Sequence, residues 1–241
     1  MKKLKLILTI LVAMAVLSGC LYPKAEKREL ETADALNLEM IQKAVDQYRE
    51  KTGGLLPIKT RDQNTDQYIR YPIDFEKLLR EGVLEKYPAN SFEKGGLFQY
   101  VIWKAESKQP VVKVVDLQQA EAIRELSIKK GVNGYVPLAE NISGNIYKLA
   151  YEKMGLKAAP SVPSPYSSTN LPIVIKGTGE IVVDYSIELQ KIVNEKKPKV
   201  KKNEDIRYLL EDQYPILPAF SAKYILNNDG EVAFFDDRKN K

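Results

Sequence analysis

Residues 68–81, YIRYPIDFEKLLRE, lie over residues 182–195, VVDYSIELQKIVNE, without a gap. Tyr71 falls on Tyr185, Ile73 on Ile187, Lys77 on Lys191 and Glu81 on Glu195, and positions 68, 69, 75, 78 and 79 are apolar in both. Each stretch follows a Leu-Pro-Ile (56–58 and 171–173), precedes a Tyr-Pro (87–88 and 214–215), and then meets a strand-like segment at Tyr100 or Tyr224. A short apolar run, a turn and then apolar positions at three and four residues is the pattern of a strand feeding a helix. Its recurrence in the same order predicts an α+β protein of two tandem, duplicated small domains. In that reading Tyr71/Tyr185 and Ile73/Ile187 fix the turn and are structural.

The remaining segments place the boundaries. Leu36, Leu38, Ile41, Ala44, Val45 and Tyr48 form a helical stripe over 31–51 that Gly53-Gly54 stops. A helix over 75–80, strands at 98–103 and 111–115, and a helix over 117–129 follow. The apolar spacing of 142–154 predicts another helix. "GLKAAPSVPSPYSSTN" (155–170) is Pro- and Ser-rich and reads as a loop. "LPIVI" and "EIVVDY" then flank Lys176-Gly177-Thr178-Gly179 as a hairpin, 187–195 is helical, 206–210 is a helical turn, and "KYILNNDGEVAFF" (223–235) is a second hairpin around Asn-Asp-Gly. The division is 31–138 for the first domain and 139–241 for the second.

Residues 1–30 carry a different message. Lys2, Lys3 and Lys5 precede a charge-free stretch from Leu6 to Leu17, and Ser18, Gly19 and Cys20 follow. Such a stretch makes a helix of about 18 Å, well short of the roughly 30 Å hydrocarbon core. It reads as a secretory signal rather than a span. "LSGC" (17–20) resembles the lipobox of bacterial lipoproteins. The resemblance implies cleavage between Gly19 and Cys20, a diacylglyceryl group on the Cys20 sulfur, and a membrane anchor on the extracytoplasmic face, with 20–30 as a tether. Two acyl chains hold stably where one is marginal. Cys20 is the sole cysteine, so lipidation leaves no disulfide.

Two further resemblances bear on the fold. "IQKAVDQYREKTGGLLP" (41–57) followed by "FEKLLREGVLEKYPANSFEKGGLFQYVI" (75–102) is similar to the soluble module of type II secretion pseudopilins, in which a long helix runs to a Thr-Gly stop before a proline loop and a strand. The prepilin cleavage motif is replaced by the lipobox, so the likeness implies a related α+β module and not pilus assembly. As a whole the chain resembles lipoproteins of Gram-positive bacilli, a likeness that brings no established activity.

Composition removes several chemistries. The chain has no histidine, which excludes Ser-His-Asp, Cys-His and His-ligated zinc sites. The carboxylate neighbours Glu204-Asp205, Glu211-Asp212 and Asp236-Asp237 are adjacent rather than on one face, so they read as solvated or helix-start charges. "NNDGE" (227–231) lacks calcium-loop spacing, and "KGTGE" (176–180) lacks phosphate-loop spacing; both read as turns. A serine-lysine pair requires only proximity, and nothing in the sequence marks one. The net charge of +5 includes three lysines within residues 1–19, so the remainder carries +2, and nucleic-acid binding has no electrostatic basis.

These observations predict a non-enzymatic binding or scaffold component of the cell envelope, with no cofactor and no metal, attached to the membrane through Cys20 and engaging an envelope protein partner. Fourteen tyrosines suit a contact surface as well as a core. The alternative is a solute-binding lipoprotein of a transport system, and an envelope hydrolase stands third.

Overall fold

The structure, a computed structural model, describes residues 23–62 and 64–236. Helix α1 (Pro23–Lys51) starts ahead of the apolar stripe, because Lys24 to Arg28 are good helix formers and Pro23 occupies the first turn, where its missing N–H costs nothing. The stretch from residue 23 to 30 is therefore helical. The chain divides into two compact units, the first ending at Lys43 and the second beginning at Ala44. Within the first unit, Glu39 and Lys43 pair at 2.8 Å across one turn, and Leu36 is exposed. In the second, Ala44, Val45 and Tyr48 are buried, and the helix ends at Gly53, which takes a left-handed φ of 70°.

The second unit is α+β, as the sequence indicates. Helix α2 (Phe75–Arg80) precedes the antiparallel hairpin β1 (Phe98–Trp103) and β2 (Val111–Asp116), and Asp116 caps α3 (Leu117–Asn133) by accepting from the Gln118 amide at 2.9 Å. A five-stranded antiparallel sheet follows: β3 (Leu138–Ser143), β4 (Ile146–Leu149), β5 (Ser161–Pro163), β6 (Asn170–Lys176) and β7 (Ile181–Val183). β6 is its centre, pairing with β4, β5 and β7. Helices α4 (Ser186–Lys196) and α5 (Tyr208–Gln213) lead to a last hairpin, β8 (Tyr224–Leu226) and β9 (Val232–Phe234).

The helix expected over 142–154 is not formed. Gly144 turns the chain with a φ of 55°, Asn141 Nδ2 donates to the Gly144 and Ile146 carbonyls, and β4 lies along the edge of β6 with Tyr147 opposite Ile175. Ile142, Ile146 and Leu149 recur at helical spacing, but the unpaired edge of β6 satisfies more backbone groups than a short isolated helix would. Only Tyr151–Met154 coils, as a 3-10 turn.

The gap-free overlay of 68–81 on 182–195 is also not the register the backbone follows. The Asp74 amide donates to the Pro57 carbonyl and the Asp184 amide to the Pro172 carbonyl, each at an Asp-aromatic step into a helix. This sets Phe75 against Tyr185 rather than Tyr71. Tyr185 is fully buried, whereas the Tyr71 hydroxyl lies near the surface on Glu106.

The first and second segments are not separate bodies within this unit. α3 packs against β5 and β7, and its Gln119 accepts a hydrogen bond from the Tyr185 hydroxyl. The main core gathers Leu126 of α3, β4 to β7, α4, Ile206, Leu210 and Tyr224. A second cluster joins Tyr68, Val101 and Val115 to Leu217 and Ala219. The segment 216–221 makes this join: Ile216 bridges Val114 of β2 and Ser221 bridges Val183 of β7, both in parallel.

A polar network sits beside that segment. Arg207 grips Asp205 through Nε and Nη2 at 2.7–3.1 Å, donates through Nη1 to Ser221 Oγ at 3.1 Å, and lies 5.0 Å from the Tyr68 ring centroid. The Tyr68 hydroxyl donates to Glu211 at 2.5 Å, and Lys113 caps the end of α5 by donating to the Glu211 and Tyr214 carbonyls at 2.7 Å. Replacing Arg207 with alanine therefore breaks a buried pair and uncovers Tyr68. A loss of about 3 kcal/mol is expected, near the low end for such a break because Asp205 is partly exposed. Urea unfolding measures it, and a shift below about 0.5 kcal/mol would mean that the arginine is only a surface cation.

Candidate functional site

The predicted lipid attachment and cleavage residues, Cys20 and Gly19, lie outside the described residues, as does Asp237 of the Asp236-Asp237 neighbours. The other carboxylate neighbours diverge. Glu211 is buried on the Tyr68 hydroxyl while Asp212 reaches out to Lys104 at 3.8 Å. Glu204 accepts from the Lys201 amide, and Asp205 is committed to Arg207. Neither is a pair that could share a proton or hold a metal, and among the described residues no group of three or more acidic or cysteine side chains converges.

Both glycine-containing turns are hairpin turns. Asn227 Oδ1 accepts the Asp229 and Glu231 amides at 2.9 Å, and the Lys176 amide donates to the Glu180 carbonyl at 2.8 Å, with Gly179 at a φ of 88°. Of the thirteen tyrosines among the described residues, five are buried and seven are half-buried. Tyr68, Tyr100, Tyr185 and Tyr224 are fully buried, and Tyr135 is the one counted among the exposed large hydrophobics.

The structure does assemble a serine, a lysine and a glutamate that no motif marks. The loop 164–169 folds over the first turn of α4, and Glu188 Oε1 accepts from Ser164 at 2.7 Å, Thr169 at 2.8 Å and Ser167. Lys191 Nζ lies 3.1 Å from Ser167 Oγ and 3.2 Å from Glu188 Oε2. Burial works against the Glu188 charge, but the three hydroxyls and Lys191 outweigh it and hold the carboxyl below its ordinary value of 4.5. Lys191 pairs with Glu188 as well as bonding Ser167, and the cluster ties the loop to α4. The signal that could have revealed it is four serine and threonine hydroxyls within the six residues 164–169.

A surface feature stands apart. Helix α3 carries apolar side chains on both faces. Leu126 enters the main core and Ala122 and Ile123 pack against it, while Ile128 and Val132, one turn apart, are 55% and 83% exposed. Toward the start of the helix a shallow depression of about 470 Å³ is lined by Phe92, Leu97, Leu117, Gln118, Ala122 and the glutamates Glu121 and Glu125. Phe92 and Leu97 are 60% and 49% exposed at its rim. Since 121, 125, 128 and 132 share one helical stripe, the depression and the exposed pair form one face with an acidic edge. Periodicity alone missed it, because a helix apolar on two sides gives a weak pattern.

Comparison with known proteins adds one match. Residues 34–116, from α1 to the last residue of β2, match the family described as the YphF family N-terminal domain. No curated protein and no solved structure matches the chain.

Two buried glutamates predict opposite pH responses. Glu188 is depressed in the fold, so its contribution is present above pH 4.5 and is lost as the pH falls through its folded value. Burial raises Glu211 above 4.5, against the opposing pull of Tyr68 and Arg207, so its contribution is present below 4.5 and is lost as the pH rises through the folded value. Glu188→Gln should cost about 1–3 kcal/mol at neutral pH, for hydrogen bonds to a charged acceptor, and progressively less in acid. Glu211→Gln should gain on the wild type between pH 4.5 and neutrality. Urea midpoints across pH measure both, and parallel profiles would contradict the assignment.

Proposed function

We propose that the chain is a lipid-anchored envelope protein on the extracytoplasmic face of the membrane, acting without catalysis as a binding or scaffold component. Among the described residues no helix is long and apolar enough to cross a membrane, so the proposed attachment rests on the "LSGC" resemblance and Cys20. The observation that carries the binding role is the exposed face of α3. Single exposed apolar residues are ordinary, but Phe92, Leu97, Ile128 and Val132 lie along one helix and its rim, which is the form of a contact surface. Its acidic edge, Glu121 and Glu125, selects a partner segment that is apolar with basic flanks.

The solute-binding alternative calls for a deep cleft with convergent polar groups. A shallow depression lined mainly by apolar side chains suits a protein partner better. For an enzyme, the nearest arrangement is the Ser167–Lys191 contact, and Glu188 occupies the lysine.

Two outcomes are expected. Metabolic labelling with a fatty-acid analogue tags the protein in bacteria that process lipoproteins, and Cys20→Ser abolishes both the tag and membrane retention. A photo-crosslinker at Val132 joins the anchored protein to a segment bearing apolar and basic residues. Ile128→Glu lowers that adduct at least tenfold, roughly 1.4 kcal/mol, without moving the thermal midpoint. Equal crosslinking from an unrelated exposed position such as Lys148 would remove the α3 face as the contact.

A further inference from the structure

The lysines between α4 and α5 are held in a manner that a passive linker does not require. Lys196, Lys197, Lys199, Lys201 and Lys202 are all exposed, and among the described residues none of their ammonium groups takes part in an ion pair or hydrogen bond. The backbone beneath them is ordered. Lys197 caps α4 with a left-handed φ of 45° and donates its amide to the Val193 carbonyl. Val200 packs against the main core, the Lys201 amide donates to Glu204 at 2.9 Å, and the Glu204 amide donates back to the Lys201 carbonyl at 3.1 Å. With Val200 turned inward, Lys199 and Lys201 are left on the solvent side.

Five like charges within seven residues repel one another, and a chain carrying only +2 beyond residue 19 has concentrated its excess here. Glu195 and Glu204 flank the run without neutralising it: Glu195 is exposed and Glu204 is taken up by the Lys201 amide. Such a fixed and unpaired group of cations is complementary to a surface of negative charge.

We propose that the 196–202 segment docks on the anionic headgroups of a lipid bilayer. A run of four to eight basic residues next to a membrane is attracted by anionic lipid, each lysine adding roughly fivefold to the partition coefficient. Ammonium groups act as point charges and suit a diffuse layer of phosphates, whereas bidentate recognition would call for arginine. The run contains no aromatic side chain to stack on a nucleic-acid base, and a nearly balanced chain offers no extended basic track for a polymer. The location of the segment near a membrane rests on the lipid-anchor reading, while the affinity does not. On an anchored protein the contact would fix which side of the second unit faces the lipid.

The test uses the full chain carrying Cys20→Ser, so that no attached lipid drives partitioning, and the same chain with the five lysines changed to glutamine. Each is sedimented with vesicles of phosphatidylcholine alone or mixed with phosphatidylglycerol. The first protein should bind the anionic vesicles at least tenfold more tightly than the neutral ones. The preference should collapse when ionic strength rises from about 0.1 M to about 1 M, where the screening length shortens from about 10 to about 3 Å. The glutamine variant keeps Lys2, Lys3 and Lys5, so the loss of preference it should show is assignable to 196–202, and an unchanged thermal midpoint establishes that it folds. Equal anionic preference in both chains would overturn the proposal, as would binding to soluble polyphosphate without binding to vesicles. A failure of fatty-acid labelling would overturn the anchor and leave this result standing.

Discussion

The architecture depends on how the segment 216–221 is held. It donates and accepts on the β2 side, where the Val114 amide bonds the Pro215 carbonyl and the Leu217 amide bonds Val114, and on the β7 side, where the Val183 amide bonds the Phe220 carbonyl. A parallel connection of this sort yields only a few hydrogen bonds, each worth about 1 kcal/mol net. It holds because apolar burial of Leu217 and Ala219 reinforces it, and because Arg207 fixes Ser221 while Ser221 bonds the Pro218 carbonyl. The network is expensive as well as useful. Glu211 and Arg207 lose water on burial; the Asp205 carboxylate and the Tyr68 ring offset that cost at Arg207, while the Tyr68 hydroxyl offsets only part of it at Glu211.

The same economy explains α3. One helix covers β5 and β7 with Leu126 and Gln119, and the Tyr185 hydroxyl pins its first turn by donating to the Gln119 oxygen. Lys130 donates to the Gly179 carbonyl at 2.6 Å and fixes its far end. Once both ends are tied down, the outward face is free of structural duty. Ile128 and Val132 on that face are costs in water rather than contributions to the core, and roughly 25 cal/mol per Å² of apolar area is recovered only if something covers them.

How much of this was legible in the residues depended on the range of the forces involved. Phe75–Arg80 and Phe98–Trp103 were readable to the residue, because local period and flanking charge decide them. Residues 142–154 were not, since Ile142, Ile146 and Leu149 satisfy a helix as well as a hairpin, and the deciding partner, β6, lies downstream in the sequence. The overlay of Tyr71 on Tyr185 failed for a related reason: four identities are a linear match, whereas the backbone equivalence is set by the Asp74 and Asp184 amides reaching back to Pro57 and Pro172. The Glu188 clamp and the Glu211 site join residues that no spacing rule connects, Tyr68 and Glu211 being 143 positions apart.

The polar chemistry of the described residues is thus spent inward. Asp205, Arg207, Glu211, Ser221, Glu188 and Lys191 each close a structural bond. Two surface features stand beside these inward bonds: an apolar face with acidic edges on α3, and a lysine run on an ordered turn. Each is favourable when a complementary surface removes water or supplies countercharge. In the proposed binding role, the apolar area and the charge left unmatched at the surface are what a partner and a membrane would cover.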